Sequence, residues 1–585
     1  MTSSAIDSST TDGVAQKQLD AIFWTGIIAS ALLLALSITV STRIDNVDPG
    51  VLSMALQFPP TYWAGFALLL ASIIVWYFGG ETKAFHFLLV ALLMGYVFLG
   101  PELMEAHPRG VSSYVQARGI GYVLEGRERD FIYFPWLGLH YMFAMLVRLT
   151  DIGYLATIRV GLWALYLGLA LGLISFFRRV LPDKRSVLLA TLAALAMGAV
   201  VGVGFTPHQM ALILVLFGFS FLARLDASPV VNRLVLIGIF CTTLITHGLS
   251  ALVVIYVVAM AALVPWKPSS VGRWRARTAS LSLLFGTIFA AWLIYSSDLW
   301  FPEVVRSFRD TVVREPITFL SPFGHISPSG GGRTEISFLT FAFLAVLLVW
   351  LVTVVARRGF WSDLSRDRLF PLLVVAGLPI LIMGTGSFTY EGFMRAFFYA
   401  TPFLAWFLAK ESMARESVAG KSAAAFLVLL FGLGFVLLYA REFEELPTSQ
   451  QFAGANFLVD NAAPNDRIIQ GDCLPLGAIT NTIDAPSMHC AYPNPSERQL
   501  EQVPNARELN FAVLSEFGER SASFAFAFGE PWWECLGESI QREGFAKIYS
   551  NGRYDAFAQP SVLKPYDPGG DHCDDSDAPA AAARR

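Results

Sequence analysis

The stretch PELMEAHPRG, residues 101 to 110, sets Glu102, Glu105, His107 and Arg109 directly behind the apolar run FHFLLVALLMGYVFLG. Two carboxylates three residues apart share a helix face if the helix continues through them, and either could act as a general base toward a hydroxyl nucleophile. Polar groups recur at the ends of other apolar segments. His208 and Gln209 stand in GFTPHQM and His247 in LITHGLS, while Arg118 and His140 follow the acidic stretch, Arg333 follows a Gly-rich turn, and Arg395 ends GSFTYEGFMR. Such groups are costly at membrane depth unless they face a cavity or a partner. Together they point to a concave, partly cationic site, for which the phosphate of a lipid-linked molecule is the natural anion. A structural alternative stands beside each: histidines at helix ends can be simply interfacial, and Arg118 or Arg395 can merely neutralise Glu102, Glu105 or Glu391.

The elements that must position these groups are membrane spans. Of 585 residues, 55% are hydrophobic and only 15% charged, with mean hydropathy +0.53, which is too apolar for a soluble globule. A net charge of −4 lacks the basic footprint of a nucleic-acid binder. The pattern predicts a polytopic α-helical protein with thirteen spans, near 21–40, 62–79, 84–100, 154–177, 186–204, 207–223, 234–247, 249–264, 279–296, 337–356, 369–385, 394–409 and 422–440. The first of these reads as a retained span rather than a cleaved signal peptide.

Orientation follows from the loops. FFRRVLPDKRS, VPWKPSSVGRWRARTAS, VVARRGFWSDLSRDR and AKESMARESVAGK are dense in Lys and Arg, and thirteen spans put all four on one side, the cytoplasmic side by the positive-inside rule. FPWLGLHYMFAMLVRLT, 134 to 150, then fits as a helix lying at the outer interface, since counting it as a span would carry RRVLPDKR outside. The resulting arrangement is a multi-pass plasma-membrane protein with a cytoplasmic N-terminus. Residues 1–20 read as a disordered tail, 21–440 as the membrane domain with interface helices near 110–150, 441–565 as a small extracytoplasmic α/β domain, and 566–585 as a flexible tail.

In the soluble region, FAGANFLVDN has helical spacing, AAPND breaks it, RIIQGD begins a strand, and Asn551-Gly552 marks a hairpin. Four of the five cysteines, Cys473, Cys490, Cys535 and Cys573, fall there; an even number in one segment suggests up to two disulfides outside the cell. No nucleotide-binding or HExxH motif stands in a convincing context, which argues against a nucleotide-driven pump.

The order of parts resembles the GT-C superfamily of integral-membrane glycosyltransferases, which includes the protein mannosyltransferase, aminoarabinose transferase and oligosaccharyltransferase families. SSYVQARGIGYVLEGR and YFPWLGLHYMFAMLVRLTDI look like the two interface helices of the first outer loop. GFTPHQMALILVLFGF and LITHGLSAL are similar to recurrent phrases of uncharacterised prokaryotic, especially archaeal, relatives, as are FLVDNAAPNDRIIQGD and IYSNGRYDAF.

The resemblance implies transfer of a sugar from a polyprenyl-phosphate donor to a glycan, lipid or protein acceptor on the outer face. Glu102 and Glu105 would be base candidates, and Arg118, His140, His208, Gln209, His247, Arg333 and Arg395 contacts to phosphate or acceptor. No cofactor is required by it; some members use a divalent metal, and the carboxylates and histidines here permit Mg or Mn without demanding it. One departure matters. Relatives commonly carry an Asp where this chain has Ser112 and Ser113, so either Glu102 or Glu105 has taken over the acidic role or the chain is a silent binding or scaffold protein. A transporter is a third alternative, although the internal repeats typical of transporters are not evident.

Overall fold

The computed structural model describes residues 8–41, 44, 56–79, 86–108, 111–131, 134–201, 204–266, 271–297, 332–356, 364–383, 390–413, 432, 434, 448–462, 466–470, 487–490, 510–515, 540, 545–551 and 554–559. Helix α1 (Ser8–Val40) pairs antiparallel with α2 (Pro60–Gly79). No proline interrupts the chain between Ser8 and Asp20, and the helix extends into the stretch expected to be a disordered tail. Small residues let the pair approach: a Cβ on Gly26 would sit 2.2 Å from Ser72 Oγ. Hydroxyls inside the pair turn back onto their own helices, as Ser37 Oγ does to the Leu33 carbonyl at 2.6 Å.

The third crossing is α3 (His86–Met94), a π-helical turn over Gly95–Leu99, and α4 (Gly100–Met104). Pro101 has no N–H to give the preceding turn, and the Gly100 N–H reaches back five residues to the Gly95 carbonyl. A Cβ on Gly100 would lie 2.7 Å from that carbonyl oxygen, so the wide turn requires glycine. Tyr96 ties it to α1 by donating to the Ser30 carbonyl at 2.6 Å.

Two helices then lie off the bundle. They are α5 (Val111–Leu124) and α6 (Gly138–Thr150), and Arg148 of α6 caps the end of α5 by donating to the Leu124 carbonyl at 3.1 Å. One face of α6 is buried through Leu139, His140, Phe143 and Ala144, while Met145 and Leu149 on the other are exposed. That apolar outer face fits a helix at a membrane interface.

The remaining bundle comprises α7 (Tyr154–Val180), α8 (Lys184–Val201), α9 (Pro207–Leu222), α10 (Pro229–Thr246), α11 (Gly248–Leu263), α12 (Val271–Tyr295), α13 (Gly332–Val355), α14 (Arg366–Met383) and α15 (Tyr390–Met413). Pro207 and Pro229 open their helices, where a missing N–H costs nothing. Phe176, Phe370, Phe403 and Trp406 interlock α7, α14 and α15 in one aromatic core. Twelve of the thirteen expected spans coincide with described helices, and 422–440 falls outside the described residues except for 432 and 434. Four of the described helices, including Ala156–Val180 and Val271–Tyr295, are long and apolar enough to cross a membrane. These make the chain a helical membrane protein.

The C-terminal part folds as expected for an α/β unit: α16 (Ser449–Asn461), capped by a reciprocal Thr448–Gln451 box, packs on a five-stranded sheet. Its strands are β1 (Arg467–Gln470), β2 (Ser487–Cys490), β3 (Phe511–Ser515), β4 (Ala546–Ser550) and β5 (Tyr554–Ala558), in the order β2-β1-β3-β5-β4. β1 is parallel to β2 and β3, while β5 runs antiparallel to β3 and β4. The β4–β5 hairpin is present, with Ser550 opposite Asp555 and the Asn551 N–H donating to the Tyr554 carbonyl at 3.2 Å. The expected disulfides are not seen among the described residues; Cys473, Cys535 and Cys573 lie outside them, and Cys490 is placed only as a backbone position on β2.

Candidate functional site

The structure divides the expected site into two corners. The first is acidic. Glu102 sits inside α4, but the helix stops at Met104, and Glu105 is its extended C-cap at φ −81°, ψ 143°. The shared helix face expected for the two carboxylates is therefore corrected: the chain leaves the helix between them. It does so because the backbone around Glu105 forms a strand-like bridge with Ile44, in which the Ile44 N–H donates to the Met104 carbonyl at 2.8 Å and the Ala106 N–H to the Ile44 carbonyl at 2.9 Å. Both carboxylates are buried, each about 1% exposed.

Arg159, from the first turns of α7, donates to the carbonyls of Glu105 at 3.1 Å and Ala106 at 2.7 Å. Tyr114 of α5 closes the corner, its hydroxyl donating to the Pro108 carbonyl at 2.7 Å. Burial holds the Tyr114 phenol well above its usual range; Glu102 and Glu105 push it the same way, and Arg159 opposes them. The phenol therefore stays protonated as a donor. His107 stacks on Phe452 of α16 at 4.0 Å between ring centroids, and its Nε2 lies 3.0 Å from Ser449 Oγ. The acidic corner and the C-terminal α/β unit thus share one end of the molecule.

The second corner is built of imidazoles at helix ends. Thr206 and Pro207 start α9, which places His208 in its first turn with Nε2 3.3 Å from Thr206 Oγ1. His247 is the single extended residue between α10 and α11, at φ −161°, ψ 109°. The two rings lie 6.1 Å apart. His247 Nδ1 lies 2.8 Å from Ser250 Oγ, which also bonds the Tyr399 hydroxyl of α15, and that hydroxyl is 3.4 Å from the same imidazole nitrogen. Arg395, one helical turn before Tyr399, is within electrostatic reach of His208, His247 and Tyr399. Gln209 is fully buried, and neither of its amide atoms has a hydrogen-bond partner among the described residues. The corner therefore offers a guanidinium, two imidazoles and a phenol, a donor set suited to phosphate oxygens.

α5 joins the corners. Ser113 Oγ accepts the Phe205 N–H at 3.2 Å, just ahead of Thr206, while the next residue, Tyr114, faces the carboxylates. α6 seals the junction from the side. A Cβ on Gly138 would lie 2.2 Å from Thr246 Oγ1, and one on Gly248 2.8 Å from Trp136 Nε1, so the α10–α11 break is fitted closely against the start of α6.

Of the expected site residues, His208, His247 and Arg395 come together, as do Glu102 and Glu105, while Gln209 follows His208 in the first turn of α9. His140 is elsewhere: it packs between α5 and α6, with Nε2 2.8 Å from Gln116 Oε1 and its ring edge against Phe131. Burial pushes its imidazole down to about 3, so it is neutral at ordinary pH, and its Nδ1 has no hydrogen-bond partner among the described residues. Arg118 lies over the Tyr122 ring at 5.6 Å rather than pairing with a carboxylate among the described residues. Arg333 is placed on α13 by its backbone alone. Arg109 falls outside the described residues.

Arg159, Ser113, Tyr114, Ser250 and Tyr399 were not anticipated from sequence. Ser250 follows His247 by three residues and could have been found by that spacing. Tyr399, on a helix 149 residues away, left no local signal.

No family model and no curated protein matches this sequence. Among solved structures, eighteen chains match, one of them the crystal structure of ArnT from Cupriavidus metallidurans bound to undecaprenyl phosphate. It is 11% identical, with a TM-score of 0.45, and the match covers 78% of this chain and 95% of that one.

Proposed function

We propose that this chain is an integral-membrane glycosyltransferase that moves a sugar from a polyprenyl-phosphate donor to an acceptor hydroxyl, in assembly of a surface glycan or glycoprotein. The observation that carries the proposal is the junction at α5, where Ser113 holds the entry to the imidazole corner and Tyr114 faces the carboxylate corner. On this reading an anion site and a buried base would lie on either side of α5. The donor phosphate would rest on Arg395, His208, His247 and the Tyr399 hydroxyl. Glu102 or Glu105 would take the proton of the acceptor hydroxyl as its oxygen attacks the anomeric carbon. The bond from that carbon to the phosphate oxygen breaks, its electron pair stays on the phosphate, and the cationic and hydroxyl donors stabilise the added charge.

Mg or Mn remains compatible with the donor types, but no three His, Cys, Asp or Glu side chains converge into a metal set among the described residues. No step above is routed through a metal. The C-terminal α/β unit, touching His107 through Phe452, is positioned to help present the acceptor.

The test is sugar transfer from a polyprenyl-phosphate donor in membranes carrying Glu102→Gln or Glu105→Gln. One of them should lose about 10²- to 10⁴-fold in rate with donor binding retained. Full activity in both would remove the base assignment. A second reading has its own observation: Ser113, in the phrase where relatives carry an acid, is spent on the Phe205 N–H, as in a protein that binds the lipid without turning it over. Wild-type protein that binds polyprenyl phosphate yet transfers nothing from any donor would favour that reading.

A further inference from the structure

A second cationic site stands at the far end of the bundle from the carboxylates. α7 carries Arg159, bonded to the Glu105 carbonyl, near its start, and Arg178 and Arg179 in its last turn. Nineteen residues at 1.5 Å per residue separate Arg159 from Arg178 by about 28 Å, close to the thickness of the hydrocarbon core of a bilayer. One end of α7 thus reaches the proposed active site, and the other comes out at the opposite membrane face.

At that opposite face a cavity of about 390 Å³ opens between α3, α7 and α8. Its walls are apolar, formed by Val90, Ile174, Leu181, Val187 and Leu188, and its mouth carries Arg178, Arg179 and Lys184. None of these three cations has an ion-pair partner among the described residues. Asp183, the acid at the mouth, is already engaged: its carboxylate accepts the Ser186 N–H at 2.8 Å and the Ser186 hydroxyl at 2.6 Å, capping the start of α8. The mouth is therefore a net positive ring above a greasy slot. A molecule that satisfies both parts has a phosphate at one end and hydrocarbon at the other.

We propose that this cavity binds an anionic phospholipid, with the headgroup phosphate on Arg178, Arg179 and Lys184 and the upper acyl chain against Val90 and Leu188. The site is distinct from the polyprenyl-phosphate site in place and in donor set, and does not depend on the chain being a transferase. The high Lys and Arg content of this loop, which fixes orientation during insertion, serves a second purpose in the folded protein. A lipid seated there would fasten the α7–α8 turn.

The experiment uses full-length protein, delipidated in neutral detergent and titrated with phosphatidylglycerol or phosphatidylcholine, with bound lipid counted by native mass spectrometry. Phosphatidylglycerol should bind preferentially. The Arg178→Gln, Arg179→Gln, Lys184→Gln triple variant should lose that preference by about a hundred-fold, and the single variants Arg178→Gln and Lys184→Gln, at exposed positions, by about five-fold each. Arg178→Lys with Arg179→Lys should keep most of it. Equal binding of the two lipids by the wild type, or an unchanged preference in the single and triple variants, overturns the proposal. Displacement of phosphatidylglycerol by millimolar glycerol 3-phosphate would also overturn it, by showing that the site takes a soluble phosphate and needs no acyl chain.

Discussion

The two corners of the proposed site are built in opposite ways. Around Glu105 the backbone does the binding: its carbonyl takes the Arg159 guanidinium, and its neighbours pair with Ile44. Around His247 the side chains bind one another, imidazole to hydroxyl to phenol, from the α10–α11 break through α11 to α15. Fixing the backbone leaves a carboxylate's chemistry separable from its role in the fold. A mutual side-chain network does not allow that separation, because each member is both scaffold and contact. The acidic corner should therefore respond to isosteric change in rate alone, and the imidazole corner in affinity and stability together.

The largest expected effect sharpens this contrast. Glu105→Gln or Glu102→Gln should lower transfer by about 10²- to 10⁴-fold while the unfolding temperature stays near wild type, since the bridge to Ile44 uses no side-chain atom of Glu105. A large loss of stability in Glu105→Gln would break the distinction. Next in size is Arg159→Met, which leaves the Glu105 and Ala106 carbonyls without their cationic donor. It should destabilise the protein by roughly 2–4 kcal/mol, read as earlier detergent-induced unfolding.

On the imidazole side, Tyr399→Phe removes a hydroxyl shared by Ser250 and His247. Affinity for polyprenyl phosphate should fall about ten-fold, with thermal stability lower by about 1 kcal/mol, both measurable on one preparation. A change in only one of the two would show that the network is not a unit. The effect with no expected consequence for transfer at neutral pH, felt only as stability in acid, concerns His140. Its folded-state value of about 3 lies below the ordinary 6.5, so the unfolded chain takes up the proton first. The stability this contributes is complete above pH 6.5 and is lost as pH falls toward 3, at up to about 1.4 kcal/mol per pH unit. His140→Gln, titrated beside wild type, should flatten that slope without altering transfer at neutral pH.

Much of this was legible along the chain, and what was not has a physical origin. Apolar runs of about 20 residues must become helices in a bilayer because no other local structure satisfies their backbone there, and the described helices fall on the expected runs. Pro207 behind Thr206 and the break at His247-Gly248 likewise fix where α9 and α11 begin, and so which ends carry His208 and His247. The pairing of Glu102 with Glu105 on one face failed at a single point. Helical periodicity assumes that the helix continues, and the bridge to Ile44, some sixty residues earlier, pulls the chain out of it after Met104.

The same divide runs through the whole protein. Local pattern was enough to fix which apolar segments become helices, where those helices start, and which polar residues gather at their ends, because each of these is settled by neighbours within a few turns. It took the folded arrangement to bring Tyr399 to Ser250, Arg159 to the Glu105 carbonyl, Ser113 to Phe205 and His140 to Gln116. Those contacts join residues 24 to 149 positions apart. Their partners are chosen by how helices cross and how closely Gly119, Gly138 and Gly248 let them approach, and no local pattern encodes that choice.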